Sequence, residues 1–152
     1  MSLNKKKRMT TYFIVVIFFV VFDRLFKGLA MKDVFNEPIQ LVSNIFSFNF
    51  SANYNIAFSL PLAGPILEII IVFIILFLIY NLIVLLKKHN LAEAGLMFII
   101  ILGAMSNFLD RFKYGYVIDY LDLKYFTVFN LADVMIVGGL VGLVWQLIKK
   151  KK

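Results

Sequence analysis

Residues 65–86 read PILEIIIVFIILFLIYNLIVLL, and this stretch decides the class of fold. Its polar exceptions are Glu68 near the start and Asn81 in the second half. An α-helix rises about 1.5 Å per residue, so about 20 apolar residues can cross the hydrocarbon core of a bilayer. The stretch therefore predicts a membrane-spanning helix.

Three further apolar stretches predict spans at about residues 12–31, 91–109 and 129–148. Ten of the 16 lysines and arginines lie beside the spans, in clusters at positions 5–8, 87–88 and 149–152. Cytoplasmic segments retain such residues because their translocation is unfavourable and anionic lipids attract them. All three clusters fall on the same side of a four-span chain, so we expect both termini in the cytoplasm.

The composition narrows the possible functions. The 152 residues are 62% hydrophobic and 16% charged, whereas soluble domains carry about 25% charged residues. With no cysteine and one histidine, disulfides and cysteine-based metal sites are excluded and a histidine triad is disfavoured. The net charge is +7, but most of the basic residues lie beside the spans rather than on a mixed polar surface, so we expect no nucleic-acid partner. We expect one domain over residues 1–152, with no metal and no cofactor.

The first apolar stretch also has the outline of a cleaved signal peptide, with basic residues, an apolar core and a small pair at Gly28 and Ala30. However, Asp23, Arg24 and Lys27 lie between that core and the small pair. We therefore interpret the stretch as a retained span.

Two segments between the spans have strand-like patterns. Residues 46–51 read FSFNFS, an alternation that places three phenylalanines on one face of a strand. Residues 116–121 read YVIDYL and are rich in aromatic and β-branched residues. We expect both segments to form a small sheet at the outer membrane surface, where aromatic rings are favoured.

The polar residues of the apolar stretches share one depth. A charge at the bilayer centre costs roughly 2.5–3.5 kcal/mol on insertion scales, so each one requires a reason. The polar residues at the outer ends of the stretches are Asp23, Lys27, Glu68, Asn107, Asp110, Arg111, Asn130 and Asp133. An ion pathway should have polar groups at several depths, so this single layer argues against a transporter.

Two carboxylates are candidates for catalysis. Asp119 lies among aromatic and β-branched residues, and Asp133 lies where the fourth stretch begins. If the fold brings them together, both cannot ionise easily, and the pair holds one proton near neutral pH. The ionised member could deprotonate water while the protonated member polarises a peptide carbonyl. The alternatives are a turn or surface role for Asp119, as for Asp122, and a helix-cap or salt-bridge role for Asp133, which would lie in the first turn after an Asn130 cap.

Other residues of the layer have supporting roles in this interpretation. Asp23 and Lys27 are spaced i, i+4 and can pair on one helix face. Asp110 and Arg111 could brace the end of the third span, with Arg111 donating to a carbonyl or a carboxylate. The neutral amides that can hold a peptide backbone or orient a carboxylate are those of Asn53, Asn107 and Asn130.

The fourth stretch carries three glycines that allow close helix approach, Gly138, Gly139 and Gly142. We interpret them as packing within one chain, with dimerisation as the alternative. One chain supplies both carboxylates, so we expect a monomer.

Five short motifs, in order along the chain, resemble those of the lipoprotein signal peptidases, also called signal peptidase II. The motifs are Asp23-x-x-x-Lys27, residues 53–58 (NYNIAF), residues 103–111 (GAMSNFLDR), residues 115–120 (GYVIDY) and residues 129–133 (FNLAD). Each motif is weak alone, but five in this order together with four spans indicate the family over essentially the whole chain.

The resemblance implies a fold and an activity. The fold is an all-α membrane protein with four transmembrane helices, both termini cytoplasmic, a small extracytoplasmic β-sheet cradle and a short interfacial helix. The activity is that of an aspartic endopeptidase of the bacterial cytoplasmic membrane, which is inhibited by globomycin. It removes the signal peptide from diacylglyceryl-modified prolipoproteins at the extracytoplasmic face, cleaving just before the lipidated cysteine.

The resemblance also assigns roles to residues. It implies that Asp119 and Asp133 are the catalytic pair. The residues that it assigns to substrate binding or site support are Asn53, Asn107, Asp110, Arg111, Asn130, Asp23 and Lys27. The partners that it implies are the diacylglyceryl-prolipoprotein substrate and membrane lipid.

Three features depart from the family pattern. Asn55 stands where the family usually has glycine, and asparagine tolerates left-handed backbone better than most residues. Tyr120 stands where the family has phenylalanine, which is a conservative change. The segment between the two aspartates is short, which affects the expected shape of the outer cradle.

Two other classes of protein stay open on the sequence. One is an ion-transporting subunit that uses Asp23 and Asp133 as ion sites. The other is a structural membrane protein in which the aspartates only cap helices.

Overall fold

The computed structural model describes residues 3–32, 37–55 and 64–150. These residues form long helices and a small antiparallel sheet. The elements are, in chain order, α1 (Leu3–Met31), β1 (Ile39–Val42), β2 (Phe46–Asn53), α2 (Pro65–Lys87), α3 (Leu91–Tyr114), β3 (Val117–Leu123), β4 (Val128–Phe129) and α4 (Leu131–Lys150).

Three helices within the described residues are long and apolar enough to cross a membrane, namely α2, α3 and α4. The most apolar is α2, whose central stretch has a mean hydropathy of 3.3. Large apolar side chains such as Phe73 and Phe77 project outward from it, at 68% and 65% exposed. A soluble protein rarely exposes such a continuous apolar surface, so these side chains face lipid.

The helix bounds refine the predicted spans. The helix α2 matches the predicted 65–86 almost residue for residue, whereas α3 continues past residue 109 to Tyr114. The helix α3 is capped by Gly115, which has a φ of 79° and whose N–H donates to the carbonyl of Arg111 at 2.8 Å. Glycine is favoured in this left-handed conformation because it has no Cβ. The sharp turn allows β3 to begin at Val117, which places Asp119 near the end of α3.

The two predicted strand segments are confirmed, since β2 and β3 are the central strands of a sheet with the order β1-β2-β3-β4. Their antiparallel register places Asn53 opposite Val117 and Ser51 opposite Asp119. A bulge between Phe48 and Ser51 interrupts the register. This pairing brings the Asn53 amide beside the strand that carries Asp119.

The bulge separates the phenylalanines that the sequence placed on one face. Phe48 packs against Phe26 of α1 and Tyr120 of β3, with ring centroids 6.2 Å and 5.5 Å apart. Phe50 lies within the bulge, is 40% exposed and packs with Tyr116. An extra residue in one strand redirects the neighbouring side chains, so Phe48 and Phe50 do not share one environment.

The outer end of α1 supports the sheet. Ala30 of α1 is buried against Ile118 and Tyr120 of β3, and Phe26 packs against the same cluster. This contact holds β3 over the helix that carries Asp23 and Lys27.

Glycines allow α3 and α4 to pack closely. A Cβ at Gly139 would collide with Ile100 of α3, whereas a Cβ at Gly138 would meet nothing. A Cβ at Gly103 would lie 2.6 Å from the carbonyl oxygen of Ala132, at the start of α4. Two of the three α4 glycines, Gly139 and Gly142, face α3 within the chain, so the prediction of intramolecular packing is confirmed.

The described residues do not include the short interfacial helix that the family resemblance implies. Residues 56–63, which contain the end of the 53–58 motif, lie outside them. Asn55 lies within them and does not adopt left-handed backbone, which non-glycine residues in the described ranges adopt at Asn44 and His89. The turn at Asn55 is instead stabilised by its N–H, which donates to Oδ1 of Asn53 at 3.1 Å.

Candidate active site

The start of α4 is closed by a reciprocal pair of hydrogen bonds. Oδ1 of Asn130 accepts the N–H of Asp133 at 2.9 Å, and Oδ2 of Asp133 accepts the N–H of Asn130 at 3.1 Å. This arrangement is a capping box, in which the side chain of each residue accepts the backbone N–H of the other. Two N–H groups that would otherwise lack a partner are thereby paired. The predicted positions of Asn130 as the cap and Asp133 in the first turn are both confirmed.

Asn130 also contacts the other candidate carboxylate. Its Nδ2 donates to Oδ1 of Asp119 at 2.6 Å, and Nδ2 of Asn53 donates to Oδ2 of Asp119 at 2.9 Å. Asp119 is buried at 2% exposed, whereas Asp133 is half-buried. The fold therefore brings Asp119 and Asp133 to the same residue from a strand and a helix.

Asn107 holds the other side of Asp133. Its Nδ2 donates to Oδ1 of Asp133 at 2.7 Å. Its Oδ1 accepts from Nδ2 of Asn130 at 3.1 Å and from Nζ of Lys27 at 2.9 Å. Lys27 and Asn130 both donate to Oδ1 of Asn107, which fixes the orientation of this amide. Its NH₂ group therefore faces Asp133.

A buried ion network lies behind the two carboxylates. Nζ of Lys27 lies 3.0 Å from Asp23 and 2.7 Å from Asp110, and all three side chains are 0% exposed. The predicted pairing of Asp23 with Lys27 is confirmed, and Asp110 joins it. Buried charges are tolerated when they are paired and hydrogen-bonded, which this cluster achieves with side chains from two helices.

Two members of this network were not predicted as site residues. Nη1 of Arg24 lies 2.5 Å from Oδ1 of Asp110, and Oγ of Ser106 donates to Oδ2 of Asp23 at 2.6 Å. Helical spacing was the available signal, because Ser106 is four residues before Asp110 and Arg24 is three before Lys27.

Arg111 connects α3 to the segment after β2. Its Nη2 donates to the carbonyl oxygen of Asn55 at 2.9 Å, as expected for a bracing arginine. Its Nε is buried and has no hydrogen-bond partner within the described residues. Through Asn55 and Asn53, Arg111 joins the network that reaches Asp119.

The environment of Asp119 favours its protonated form. Burial raises the pKa of Asp119 from 3.8 to about 7, and the negative charge of Asp133 adds to the rise. The hydrogen bonds from Asn53 and Asn130 act in the opposite direction and lower the pKa. A carboxyl group with this pKa can hold or release a proton near neutral pH.

Comparison with known proteins places the chain in a family. Residues 15–149 match the family described as signal peptidase (SPase) II. The chain belongs to the signal peptidase II family. The resemblance found in the five motifs is thereby confirmed.

Relatives within signal peptidase II differ in how much of the chain they match. The lipoprotein signal peptidase of Clostridium novyi is 30% identical over 146 residues, covering 91% of this chain and 98% of that protein. The lipoprotein signal peptidase of Moorella thermoacetica is 54% identical over 46 residues, covering 30% of this chain and 31% of that protein. In that alignment and in the one with Halothermothrix orenii, the chain spans about a third of the relative's length.

The fold of this signal peptidase II family member also matches solved structures. A bacterial membrane enzyme determined by the in meso method at 2.3 Å resolution superposes with a TM-score of 0.81 at 22% identity. That match covers 94% of this chain and 90% of the other. A second bacterial membrane enzyme, at 1.9 Å resolution, gives a TM-score of 0.75 at 22% identity and covers 92% of this chain and 94% of the other. The likeness establishes the fold.

All the predicted site residues of this signal peptidase II chain lie in one connected network. The residues are Asp23, Lys27, Asn53, Asn107, Asp110, Arg111, Asp119, Asn130 and Asp133. Three further members, Arg24, Ser106 and Tyr120, were not predicted as site residues.

Proposed function

We propose that this protein is a membrane aspartic endopeptidase that removes the signal peptide from diacylglyceryl-modified bacterial prolipoproteins, cleaving just before the lipidated cysteine. The observation that supports it best is the pair of hydrogen bonds that Asn130 makes to Asp119 and Asp133. Two carboxyl groups held by one residue form a unit that can share a proton. Membership of the signal peptidase II family supports the same reaction.

In the proposed mechanism, Asp119 is the acid and Asp133 is the base. Asp133 is half-buried, so a water molecule can reach it, and its carboxylate removes a proton as the water oxygen bonds to the scissile carbonyl carbon. Asp119 gives its proton to the carbonyl oxygen, which avoids a free oxyanion. When the tetrahedral intermediate collapses, the carbon–nitrogen bond breaks, the amine of the lipidated cysteine takes the proton from Asp133, and the hydroxyl of the intermediate returns a proton to Asp119 as the carbonyl group re-forms.

The proton on Asp119 predicts the pH dependence. Because its pKa is about 7, Asp119 is protonated below neutral pH and ionised above it. We therefore expect kcat/KM to fall by about tenfold per pH unit above neutral, as the required acid is lost. Steady-state cleavage across pH 5–9, with substrate well below KM, measures this fall in kcat/KM. A kcat/KM that stays level to pH 9 would contradict the assignment of Asp119 as the acid.

The same pKa shift has a consequence for stability. The folded state binds the Asp119 proton more tightly than the unfolded state, whose aspartate has the ordinary pKa of 3.8. The resulting contribution to the free energy of unfolding is complete below about pH 4 and is lost as pH rises through about 7. The variant Asp119→Asn should lack this component.

We also propose a topology of four spans, with α1 as the first and with both termini in the cytoplasm. Asp133 and most of the supporting residues come from the end of α1, the end of α3 and the start of α4, which all lie at one end of the bundle, and β3 brings Asp119 to the same end. The basic clusters lie at the other end of the sequence-predicted spans. The site would then lie at the extracytoplasmic face, level with the lipid head groups, where a diacylglyceryl group enters sideways from the membrane.

Labelling of single cysteines tests this topology. The chain has no cysteine, so His89→Cys, between α2 and α3, and Lys124→Cys, between β3 and β4, can each be labelled alone. We expect a membrane-impermeant maleimide to label Lys124→Cys in intact cells and His89→Cys only after permeabilisation. The reverse pattern would place the site in the cytoplasm and defeat the proposed function.

The proposed function is tested with purified protein and a diacylglyceryl-modified prolipoprotein. We expect mass spectrometry to find cleavage before the lipidated cysteine, with no cleavage of the same protein before lipid is attached. Inhibition by globomycin is expected. We propose that the active form is a single domain and a monomer, because one chain supplies both carboxylates.

A further inference from the structure

The hydroxyl of Tyr120 connects the elements that carry the two candidate catalytic aspartates. Tyr120 directly follows Asp119 on β3 and is 1% exposed. Its hydroxyl donates to Oδ1 of Asp23 on α1 at 3.2 Å and accepts the N–H of Leu131, the first residue of α4, at 3.1 Å. One hydroxyl group therefore joins the strand of Asp119 to the helix that carries Asp133.

This contact completes the capping of α4. The first N–H groups of a helix have no partner within the helix and require one from elsewhere. Here the N–H of Leu131 donates to Tyr120, that of Ala132 donates to Oδ1 of Asp23 at 3.2 Å, and that of Asp133 donates to Asn130. Tyr120 supplies the first acceptor and also holds Asp23, which supplies the second. The direction in which α4 leaves the site thus depends on the Tyr120 hydroxyl.

The ring and the hydroxyl of Tyr120 have separable roles. The ring packs against Phe26 and Phe48, with centroids 5.8 Å and 5.5 Å away. A phenylalanine at this position would keep these contacts and lose both hydrogen bonds. The sequence suggests that tyrosine in place of the family's phenylalanine is a conservative change. In the structure, however, the added hydroxyl connects β3 to both α1 and α4.

The hydroxyl keeps its proton at working pH. Burial and the negative charge of Asp23 both raise the pKa of Tyr120 above its ordinary value of 10. The bond to Asp23 therefore persists while Asp119 gains or loses its proton.

We propose that Tyr120 is a positioning residue, whose hydroxyl fixes the separation of the Asp119 and Asp133 carboxyl groups by tying β3 to the start of α4. This inference rests on the proposed function of the two aspartates. Tyr120 itself touches no reacting atom and acts through Asp23 and Leu131. Small displacements of positioned groups have large effects on rate, because catalysis requires a narrow range of distances and angles.

Tyr120→Phe tests the proposal with the full-length protein and a diacylglyceryl-modified prolipoprotein. We expect kcat to fall by about tenfold while KM changes by less than about twofold, because the substrate contacts stay in place. We also expect the descending limb of the kcat/KM profile to move to lower pH, because a more distant Asp133 raises the pKa of Asp119 less. Each rate is divided by the amount of folded protein, which is taken as the helical, monodisperse fraction.

Tyr116→Phe is the matched control. The Tyr116 ring packs against Tyr54 and Tyr114, and its hydroxyl makes no hydrogen bond within the described residues. We expect its kcat and pH profile to equal those of the parent protein. If Tyr120→Phe yields no folded fraction, 3-fluorotyrosine at position 120 alone keeps the ring and weakens the hydroxyl as an acceptor, and a smaller fall in kcat is expected.

A parent-like kcat and pH profile in Tyr120→Phe, or in the fluorinated protein where that is used, would overturn the proposal, even if the melting temperature falls. This outcome differs from failure of the proposed function. If the parent protein does not cleave, or if either Asp119→Asn or Asp133→Asn retains full activity, the mechanism itself fails. If both aspartate variants lose activity while Tyr120→Phe does not, only the role of Tyr120 is wrong.

Discussion

Asp119→Asn and Asp133→Asn should each reduce cleavage of a diacylglyceryl-modified prolipoprotein by roughly 10³-fold or more, with the protein still folded. Asparagine has the size of aspartate and keeps one carbonyl oxygen, so part of the hydrogen bonding to Asn130 survives. It cannot accept a proton from water at Asp133 or deliver one to a carbonyl from Asp119. Single-turnover assays with excess protein measure the chemical step directly.

Asp122→Asn is the matched control for this pair. Asp122 lies three residues beyond Asp119 on the same strand, and it lies outside the network around Asn130. We expect its rate to stay within about twofold of the parent, because Asp122 does not belong to that network. Full activity in either Asp119→Asn or Asp133→Asn would defeat the aspartic mechanism. An equal loss in Asp122→Asn would show that the assay reports general damage to β3.

Lys27→Met should prevent stable folding, with a loss of about 3–5 kcal/mol in the free energy of unfolding. Lys27 is 0% exposed and lies between the carboxylates of Asp23 and Asp110, which are equally buried. Methionine fills much of the space of the lysine but carries no charge. The two buried carboxylates would then keep Arg24, which pairs with Asp110, as a nearby cation. A loss of this size is a large part of the total stability of a typical protein. Thermal unfolding in detergent and the yield of monodisperse protein measure it.

Two further variants separate the charge of Lys27 from its shape. Lys113→Met removes an exposed lysine near the end of α3, and we expect little change in stability. The double variant Lys27→Met with Asp110→Asn restores a neutral cluster and should recover part of the lost stability. Parent-like stability of Lys27→Met would show that the network is not required for folding. Absence of any recovery in the double variant would indicate that packing, rather than charge, is the main contribution of Lys27.

The positions of the apolar helices and of the central strands could be predicted from the sequence because their patterns are local. The run at 65–86 has helix length and almost no polar residue, and the alternation at 46–51 has the period of a strand. The end of α3 could not be placed in this way. Asp110, Arg111 and Lys113 interrupt the apolar pattern, but tertiary partners such as Lys27 allow the helix to continue to Tyr114.

The members of the candidate site could be predicted, but the connections between them could not. Residue type, depth and motif resemblance identify Asp119 and Asp133 without indicating that Asn130 bonds to both. The bulge after Phe48 also follows from strand pairing rather than from the alternation of residues.

Arg24, Ser106 and Tyr120 show a limit of sequence reasoning. Their bonds to Asp110 and Asp23 join residues 83 to 97 positions apart, and nothing in the neighbouring residues indicates the partners. A serine or a tyrosine in an apolar stretch has several ordinary roles. The folded chain is needed to distinguish between them.

The carboxylate of Asp23 accepts the N–H of Ala132, a residue 109 positions later in the chain. A polypeptide still emerging from the ribosome therefore has no finished site until α4 has been made and has packed against α1. The proposed peptidase activity therefore requires both helices to be synthesised and packed together before any substrate can be cleaved.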